Sequence, residues 1–289
     1  MKNWLLAIRP KTLFATVAPV MIGTAMAMGN GSFHLYSFLA ALMGGVMIQI
    51  GTNLANDYYD FKKGADDEQR LGPTRVTQAG LIKPEKIKSA FILSFAIAIL
   101  IGIYLVTRGG WPIVIIGLSS ILFGILYTGG PYPLGYHGLG DVFVLMFFGP
   151  VAVGGTYYVQ ALSINIEVLI YGLPPGLLSV AILAVNNLRD VNSDREAGKR
   201  TLAVRFGIKF TQLEYMFCLL LAAIFPLRSY FIYGTHPYTV LTLLILPFSF
   251  TLYKKVKTFP ASSELNSVLA KTGQLLFLYA LLFSAGWLI

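Results

Sequence analysis

Two stretches of the sequence each carry a ladder of oxygen-bearing side chains at helical spacing. In the first, Asn53, Asp57 and Asp60 stand at positions i, i+4 and i+7, which places them on one face of a helix that continues through this stretch. Asn56 and Asp60 form a second pair four residues apart. The same spacing returns at Asn186, Asp190 and Asp194, with Asn187 three residues before Asp190. Clustered carboxylate and amide oxygens without His or Cys suit a hard ion such as Mg²⁺, which is usually shared with substrate phosphates.

Basic residues flank both ladders. They are Lys62, Lys63, Arg70 and Arg75 near the first ladder, and Arg189, Lys199 and Arg200 near the second. Carboxylates, a metal ion and Arg or Lys side chains around one cavity can hold a diphosphate and stabilise it as it leaves. A single acidic loop would indicate only a solvated connection between helices. The matched pair of ladders favours a site instead.

The composition places these ladders in a membrane protein. Of the 289 residues, 56% are hydrophobic and only 12% are charged, and the mean hydropathy is +0.69. The formal charge of +9 is explained by basic cytoplasmic loops, and no basic stripe with interleaved aromatic residues indicates nucleic-acid binding. The single cysteine, Cys218, excludes a disulfide framework and a thiolate metal site.

Apolar runs of the length needed to cross a bilayer predict an all-α integral membrane protein that forms one domain over residues 1–289. The nine predicted spans are 12–29, 36–54, 88–107, 112–128, 139–161, 167–187, 211–233, 238–253 and 272–289. With a cytoplasmic N-terminus, all of the 22 basic residues except Arg108 and Arg228 fall on the cytoplasmic side, so we predict an N-in, C-out topology. The first run also has the features of a cleavable signal peptide, although Pro19 interrupts it.

Five motifs resemble the UbiA superfamily of intramembrane aromatic prenyltransferases, and within it the 1,4-dihydroxy-2-naphthoate polyprenyltransferases. They are IRPKTLFATVAPVMIGTA, NLANDYYDFKKGAD, RLGPTRVTQAG, YTGGPYPLGYHGLGD and NNLRDVNSDREAGKRTLAVRFG, which together span most of the first 207 residues. The resemblance implies nine helices in a ring around a central cavity. The sequence departs from the first family motif because Gly64 follows Asp60 at the fourth position, which leaves Asp66 to supply the missing carboxylate.

The resemblance implies a polyprenyl diphosphate donor and 1,4-dihydroxy-2-naphthoate as the acceptor, with release of diphosphate and CO₂ on the route to menaquinone. The implied metal ligands, for Mg²⁺ or for Mn²⁺ in its place, are Asp57, Asp60, Asp66, Asp190 and Asp194. The implied substrate-binding residues are Asn53, Asn56, Arg70, Arg75, Gln78, Tyr132, Tyr136, Asn187, Lys199 and Arg200. The enzyme would lie in the bacterial inner membrane with its site facing the cytoplasm, and no nucleic acid would take part.

The acceptor side of the site has several candidate residues. Asp141, Tyr132 or Tyr136 could assist removal of a hydroxyl proton from the acceptor. Asp141 could equally cap the helix that follows it. His137, in the same loop, is either an acceptor contact or an ordinary loop histidine.

Three other functions remain as alternatives. A 4-hydroxybenzoate prenyltransferase, or another enzyme of quinone synthesis in this superfamily, would share the metal and diphosphate site. An ion-coupled transporter would place its acids near the bilayer midplane rather than at helix ends. A phosphatidyltransferase would carry a DGxxAR segment ahead of Asp190, and that segment is absent here.

Overall fold

The computed structural model describes residues 2–64 and 71–289, and every regular element in these two ranges is helical. The α-helices, in chain order, are α1 (Lys2–Ile8), α2 (Phe14–Gly29), α3 (Leu35–Lys62), α4 (Pro84–Gly109), α5 (Trp111–Leu126), α6 (Gly140–Met146), α7 (Ala152–Ala161), α8 (Ile166–Tyr171), α9 (Leu173–Arg189), α10 (Val191–Glu196), α11 (Leu202–Ile224), α12 (Arg228–Tyr233), α13 (Leu246–Thr258) and α14 (Leu265–Leu288). Shorter turns of 3₁₀ or π helix join several of them.

Helix length and hydropathy confirm an all-α membrane protein. In the described ranges, seven helical segments are long and apolar enough to cross a membrane, and the bent pair Lys2–Thr12 with Phe14–Gly29 makes an eighth if it counts as one span. The remaining apolar helix, α5, has 16 residues, fewer than the roughly 20 that a typical span needs. Each of the nine predicted segments is helical over most of its length. The count of nine spans and the N-in, C-out orientation stay predictions.

Four predicted spans are broken rather than continuous α-helix: the span at 167–187 is interrupted at Gly172, between α8 and α9, and three others contain a 3₁₀ or π segment. The span at 139–161 contains a π-helical segment at Phe147–Val151, the span at 211–233 changes to 3₁₀ helix at Phe225–Leu227, and the span at 238–253 starts with 3₁₀ helix at Pro237–Ile245. Each of these segments contains a proline, which has no N–H to donate to the preceding turn. At Gly149 the backbone is non-helical, and an added Cβ would lie 2.7 Å from the Gly172 carbonyl, so the break coincides with close helix packing.

The helices pack into two groups that meet around one cavity. Helices α2, α7, α9, α11 and α14 share the larger apolar core, while α3 and α4 pack against each other with a smaller one. Val76, from the connection after α3, is fully buried in the smaller core. The connection 71–83 is therefore held by apolar burial at the end of α3, where the first ladder lies.

Candidate active site

The first ladder lies on α3, which continues as a regular helix through the polar stretch to Lys62. Asn53, Asp57 and Asp60 therefore share one face, and all three are buried, with exposed fractions of 4%, 1% and 2%. Ionised carboxylates at such positions need charge partners or hydrogen bonds to offset the loss of hydration.

Three consecutive residues of the 71–83 connection supply partners to this ladder. The carboxylate of Asp57 accepts from the backbone N–H groups of Val76 and Thr77, both at 3.3 Å. The Nη2 atom of Arg75, itself buried, donates to Asp60 Oδ2 at 2.8 Å. The burial of the Val76 side chain thus fixes the backbone and the guanidinium that face the two acids.

Tyr136 connects the ladder to the basic residues around it. Its hydroxyl donates to Asp60 Oδ1 at 2.8 Å. The ammonium groups of Lys63 and Lys199 lie 4.8 and 4.9 Å from the centre of its ring, within the range of a cation–π interaction. The backbone N–H of Arg200 donates to the Tyr136 carbonyl at 2.8 Å. One aromatic ring therefore holds two cations next to the first ladder.

Lys63 also donates from Nζ to the Thr128 carbonyl at 2.8 Å. Partial burial lowers the pKa of Lys63 below its ordinary value of 10.5, the negative charge of Asp60 opposes this effect, and the ammonium of Lys199 adds to it. Thr128 in turn donates from Oγ1 to Asn56 Oδ1 at 2.8 Å. The loop that follows α5 is thereby attached to the end of α3.

The second ladder crosses a junction between two helices. Helix α9 ends at Arg189 and α10 begins at Val191, so Asp190 lies between them, while the N–H of Asp194 still donates to the Asp190 carbonyl at 2.8 Å. Lys199 Nζ lies 3.4 Å from Asp194 Oδ1 and 3.7 Å from Asp60 Oδ1. One ammonium therefore contacts an acid of each ladder, and the two ladders face the same site.

Arg189, which the sequence indicated only as a basic residue near the second ladder, binds an acid of that ladder directly. Its side chain is 1% exposed, and Nε and Nη2 donate to the two carboxylate oxygens of Asp190 at 2.8 and 2.6 Å. Nη1 donates to Asn266 Oδ1 at 2.9 Å. Because Asn266 lies in the first turn of α14, the C-terminal part of the chain also reaches this site.

Asp141 lies in the first turn of α6 and is buried. Leu139 precedes the helix without a side-chain capping bond, so Asp141 is not the N-cap. Its Oδ1 atom is buried and has no hydrogen-bond partner within the described part of the chain. An added Cβ at Gly140 would lie 2.9 Å from the hydroxyl of Tyr127, which places that tyrosine close to the start of α6. Tyr127 is the first residue of the YTGGPYPLGYHGLGD motif, but the sequence assigned it no role of its own.

A cavity of about 610 Å³ extends from the first ladder between the helices. Asn53, Asn56 and Tyr127 contribute polar groups to its lining, whereas most of the remaining wall is apolar, as at Ile99, Leu118 and other residues of α4 and α5. Asn53 is held in place because its Nδ2 donates to the Ile8 carbonyl at 2.8 Å. The space therefore combines a long apolar wall with a short polar region next to the acids.

Among the remaining predicted site residues that the structure describes, three have exposed side chains and one is buried. Gln78, Tyr132 and Arg200 have exposed side chains, and the ring of Tyr132 stacks on His137 with 3.6 Å between centroids. Asn187 is buried on α9. Asp66 and Arg70 lie outside the described residues. Roles for all of these residues stay predictions.

The donor chemistry of the site fits Mg²⁺ shared with a diphosphate. Within residues 2–64 and 71–289, no group of three or more His, Cys, Asp or Glu side chains is arranged to hold a metal ion by itself. Mg²⁺ usually takes only one or two carboxylates and completes its shell with substrate phosphates and water. Asp60 and Asp194 both contact Lys199, so two carboxylates lie close together and can supply the hard oxygen ligands that Mg²⁺ needs from the protein.

Comparison with known proteins agrees with this geometry. The sequence matches the UbiA prenyltransferase family over residues 16–281. It is 40% identical over 239 residues to the 1,4-dihydroxy-2-naphthoate octaprenyltransferase of Escherichia coli (strain K12), covering 81% of this chain and 77% of that protein. It is 36% identical to the protein of the same name from Mycobacterium tuberculosis (strain ATCC 25618 / H37Rv), covering 96% and 94%. The solved structure of a UbiA homolog from Archaeoglobus fulgidus bound to GPP and Mg²⁺ has the same fold, with a TM-score of 0.68 over 99% of this chain and 100% of that one, at 14% identity.

Proposed function

Because the chain belongs to the UbiA prenyltransferase family, we propose that it transfers a polyprenyl group from polyprenyl diphosphate to 1,4-dihydroxy-2-naphthoate. The reaction releases diphosphate and CO₂ and gives demethylmenaquinol for menaquinone biosynthesis. The observation that carries this proposal is a buried site of acids and bases at the polar region of a long apolar cavity. Relatives that share at least 36% identity over most of the chain bear the name of this activity.

In this proposal the diphosphate binds between the ladders and the polyprenyl tail lies along the apolar wall. Mg²⁺ would be held by Asp57, Asp60, Asp190 and Asp194, with Asp66 as a further ligand, and when bound it neutralises charge on the diphosphate as it leaves. The cations Arg75 and Lys199 contact Asp60 in the structure, so both lie next to the acids, where their positive charge would stabilise phosphate oxygens. Asn53 and Asn56 line the cavity beside the acids, and we assign them to the junction between the diphosphate and the tail.

The chemistry proceeds when the allylic C–O bond of the donor breaks. The electron pair of that bond goes to the diphosphate, and the buried site favours the separated charges through groups that are already oriented. The ring carbon of the acceptor that bears the carboxylate attacks the allylic cation, and loss of CO₂ returns an electron pair to the ring. The protein therefore has to align the acceptor ring with the cation and exclude water.

Asp141 is the best placed of the three candidate bases for a transient proton transfer from an acceptor hydroxyl. Its Oδ1 atom has no partner in the described structure, and the preceding residue, Gly140, lies close to the hydroxyl of Tyr127, a residue of the cavity wall. The hydroxyl of Tyr136 is already donated to Asp60, and the side chain of Tyr132 is exposed. We therefore assign acceptor orientation to the region between Tyr127 and Asp141.

Carboxyl-labelled acceptor tests this function. Membranes that contain the protein are incubated with a polyprenyl diphosphate and with 1,4-dihydroxy-2-naphthoate labelled in its carboxyl group, and labelled CO₂ should appear in proportion to prenylated product. Removing divalent ions should stop the reaction, and Mg²⁺ or Mn²⁺ should restore it. Product formed only from 4-hydroxybenzoate, with its carboxylate retained, would move the protein to that branch of the family.

The site would face the cytoplasm of a bacterial inner membrane.

A further inference from the structure

The guanidinium of Arg189 links the second ladder to helix α14. Its bidentate pair with Asp190 leaves Nη1 to donate to Asn266 Oδ1 at 2.9 Å, and Nη2 also donates to Asn186 Oδ1 at 2.9 Å. A planar guanidinium with several fixed bonds sets the orientation of the carboxylate it holds. Asp190 is consequently oriented by its chain neighbour Arg189 and, through it, by Asn266, which lies 77 positions after Arg189.

Asn266 uses the other end of its amide to hold the connection that covers the first ladder. Its Nδ2 donates to the Leu71 carbonyl at 2.7 Å. Four residues further along the connection, Arg75 pairs with Asp60, and Val76 and Thr77 donate to Asp57. A single amide thus contacts both the guanidinium behind the second ladder and the chain that supplies partners to the first.

We propose that Arg189 and Asn266 form a brace that sets the two ladders at the separation needed to bind a diphosphate. This inference rests on the proposed function. Both are positioning residues, because they act through Asp190 and the 71–77 stretch rather than on the substrate. The brace requires one side chain that accepts from Arg189 and donates to Leu71 at once, which an asparagine amide does and an aspartate or an alanine does not.

Binding of inorganic diphosphate in the presence of Mg²⁺, measured by calorimetry on the purified full-length protein, tests the brace. Asn266→Ala should raise the Kd roughly tenfold, the scale of one hydrogen bond to a charged group. The matched control is Asn30→Ala, which removes the 2.7 Å hydrogen bond from Nδ2 to the Tyr157 hydroxyl, far from the ladders. The control should lower Tm without changing the Kd.

Two further variants test separately the hydrogen bond from Asn266 to Leu71 and the bidentate pairing of Arg189. Asn266→Asp keeps an acceptor for Arg189 and loses the donor to Leu71, so it should also raise the Kd, and it replaces Asn266→Ala if the alanine variant does not fold. Arg189→Lys keeps the charge but loses the bidentate fork. If the brace acts as a unit, Arg189→Lys with Asn266→Ala should bind diphosphate no more weakly than the worse single variant.

A wild-type Kd in both Asn266→Ala and Asn266→Asp would overturn the brace, as would equal changes in Asn266→Ala and Asn30→Ala. Independent, multiplying effects of the Arg189 and Asn266 substitutions would also overturn it. These outcomes are distinct from failure of the proposed function. That failure would appear in the unmodified protein as diphosphate binding without transfer to 1,4-dihydroxy-2-naphthoate.

Discussion

Tyr136→Phe removes one atom from the centre of the charged site and leaves the ring in place. The lost hydroxyl donates to Asp60 at 2.8 Å, and a hydrogen bond to a charged group contributes about 1.5–3 kcal/mol. The ring contacts of Lys63 and Lys199 should persist, since phenylalanine offers the same face. We therefore expect kcat/KM for polyprenyl diphosphate to fall about tenfold or more.

Tyr136→Leu removes the ring as well. Each cation–π contact contributes about 0.5–1 kcal/mol at a partly exposed site, so the loss of two should lower kcat/KM by about a further fivefold to thirtyfold. The assay is prenyl transfer by purified protein at saturating acceptor and varied polyprenyl diphosphate. Tyr230→Phe, at an exposed tyrosine, controls for the general effect of losing a phenol. A Tyr136→Phe enzyme within twofold of wild type would refute the role of the hydroxyl, and equal activities of the two Tyr136 variants would refute the role of the ring.

Three further predictions address the cavity, the charge of the site and the topology. Gly117→Phe should lower activity more with long polyprenyl diphosphates than with geranyl diphosphate, because Gly117 lines the cavity and an added Cβ meets nothing within 4 Å; an unchanged ratio would place the tail elsewhere. Because the pKa of Lys63 is lowered, its ammonium loses its charge at a lower pH than that of a free lysine, and the affinity for diphosphate should decline on the alkaline side. Lys63→Arg stays charged and should extend binding to higher pH, so identical pH profiles of diphosphate affinity in the two proteins would contradict this prediction. In a Cys218→Ser background and intact cells, Lys86→Cys should be shielded from an impermeant thiol reagent and Ser163→Cys should react; the opposite pattern would invert the predicted topology.

Local periodicity predicted those parts of the site that depend on one helix. The i, i+4 and i+7 spacing of Asn53, Asp57 and Asp60 required only that α3 continue to Lys62, and it does. The second ladder had similar spacing, but the junction at Asp190 could not be read from it. The position of the Asp190 carboxylate depends on its bidentate pair with Arg189 and on the contact that Arg189 makes with Asn266 of α14.

Long-range partners explain what the sequence could not reveal. Asn266 lies in a region without a recognisable motif, and its two partners are distant along the chain. Crowded acids on one helix face suggest mutual repulsion. The flanking bases Arg75 and Lys199 do contact Asp60 in the folded chain and offset its charge, but these particular pairings, and the hydrogen bond from Tyr136, could not be read from the spacing. The break at Gly149 lies next to Pro150 and also reflects the close approach of Gly172, a contact between residues that are distant along the chain.

The division of the cavity into a polar region and an apolar wall makes the donor a bivalent ligand under the proposed function. Its diphosphate and its tail each have partners in a different part of the site, and the covalent bond between them gives each half a high effective concentration for its own partners. Prenyl transfer cuts that linker. Diphosphate then lacks the tail, and the prenylated product lacks both the diphosphate and the acceptor carboxylate. Each product therefore loses the avidity with which the site bound the substrate. The reaction itself lowers the affinity of the site for its products.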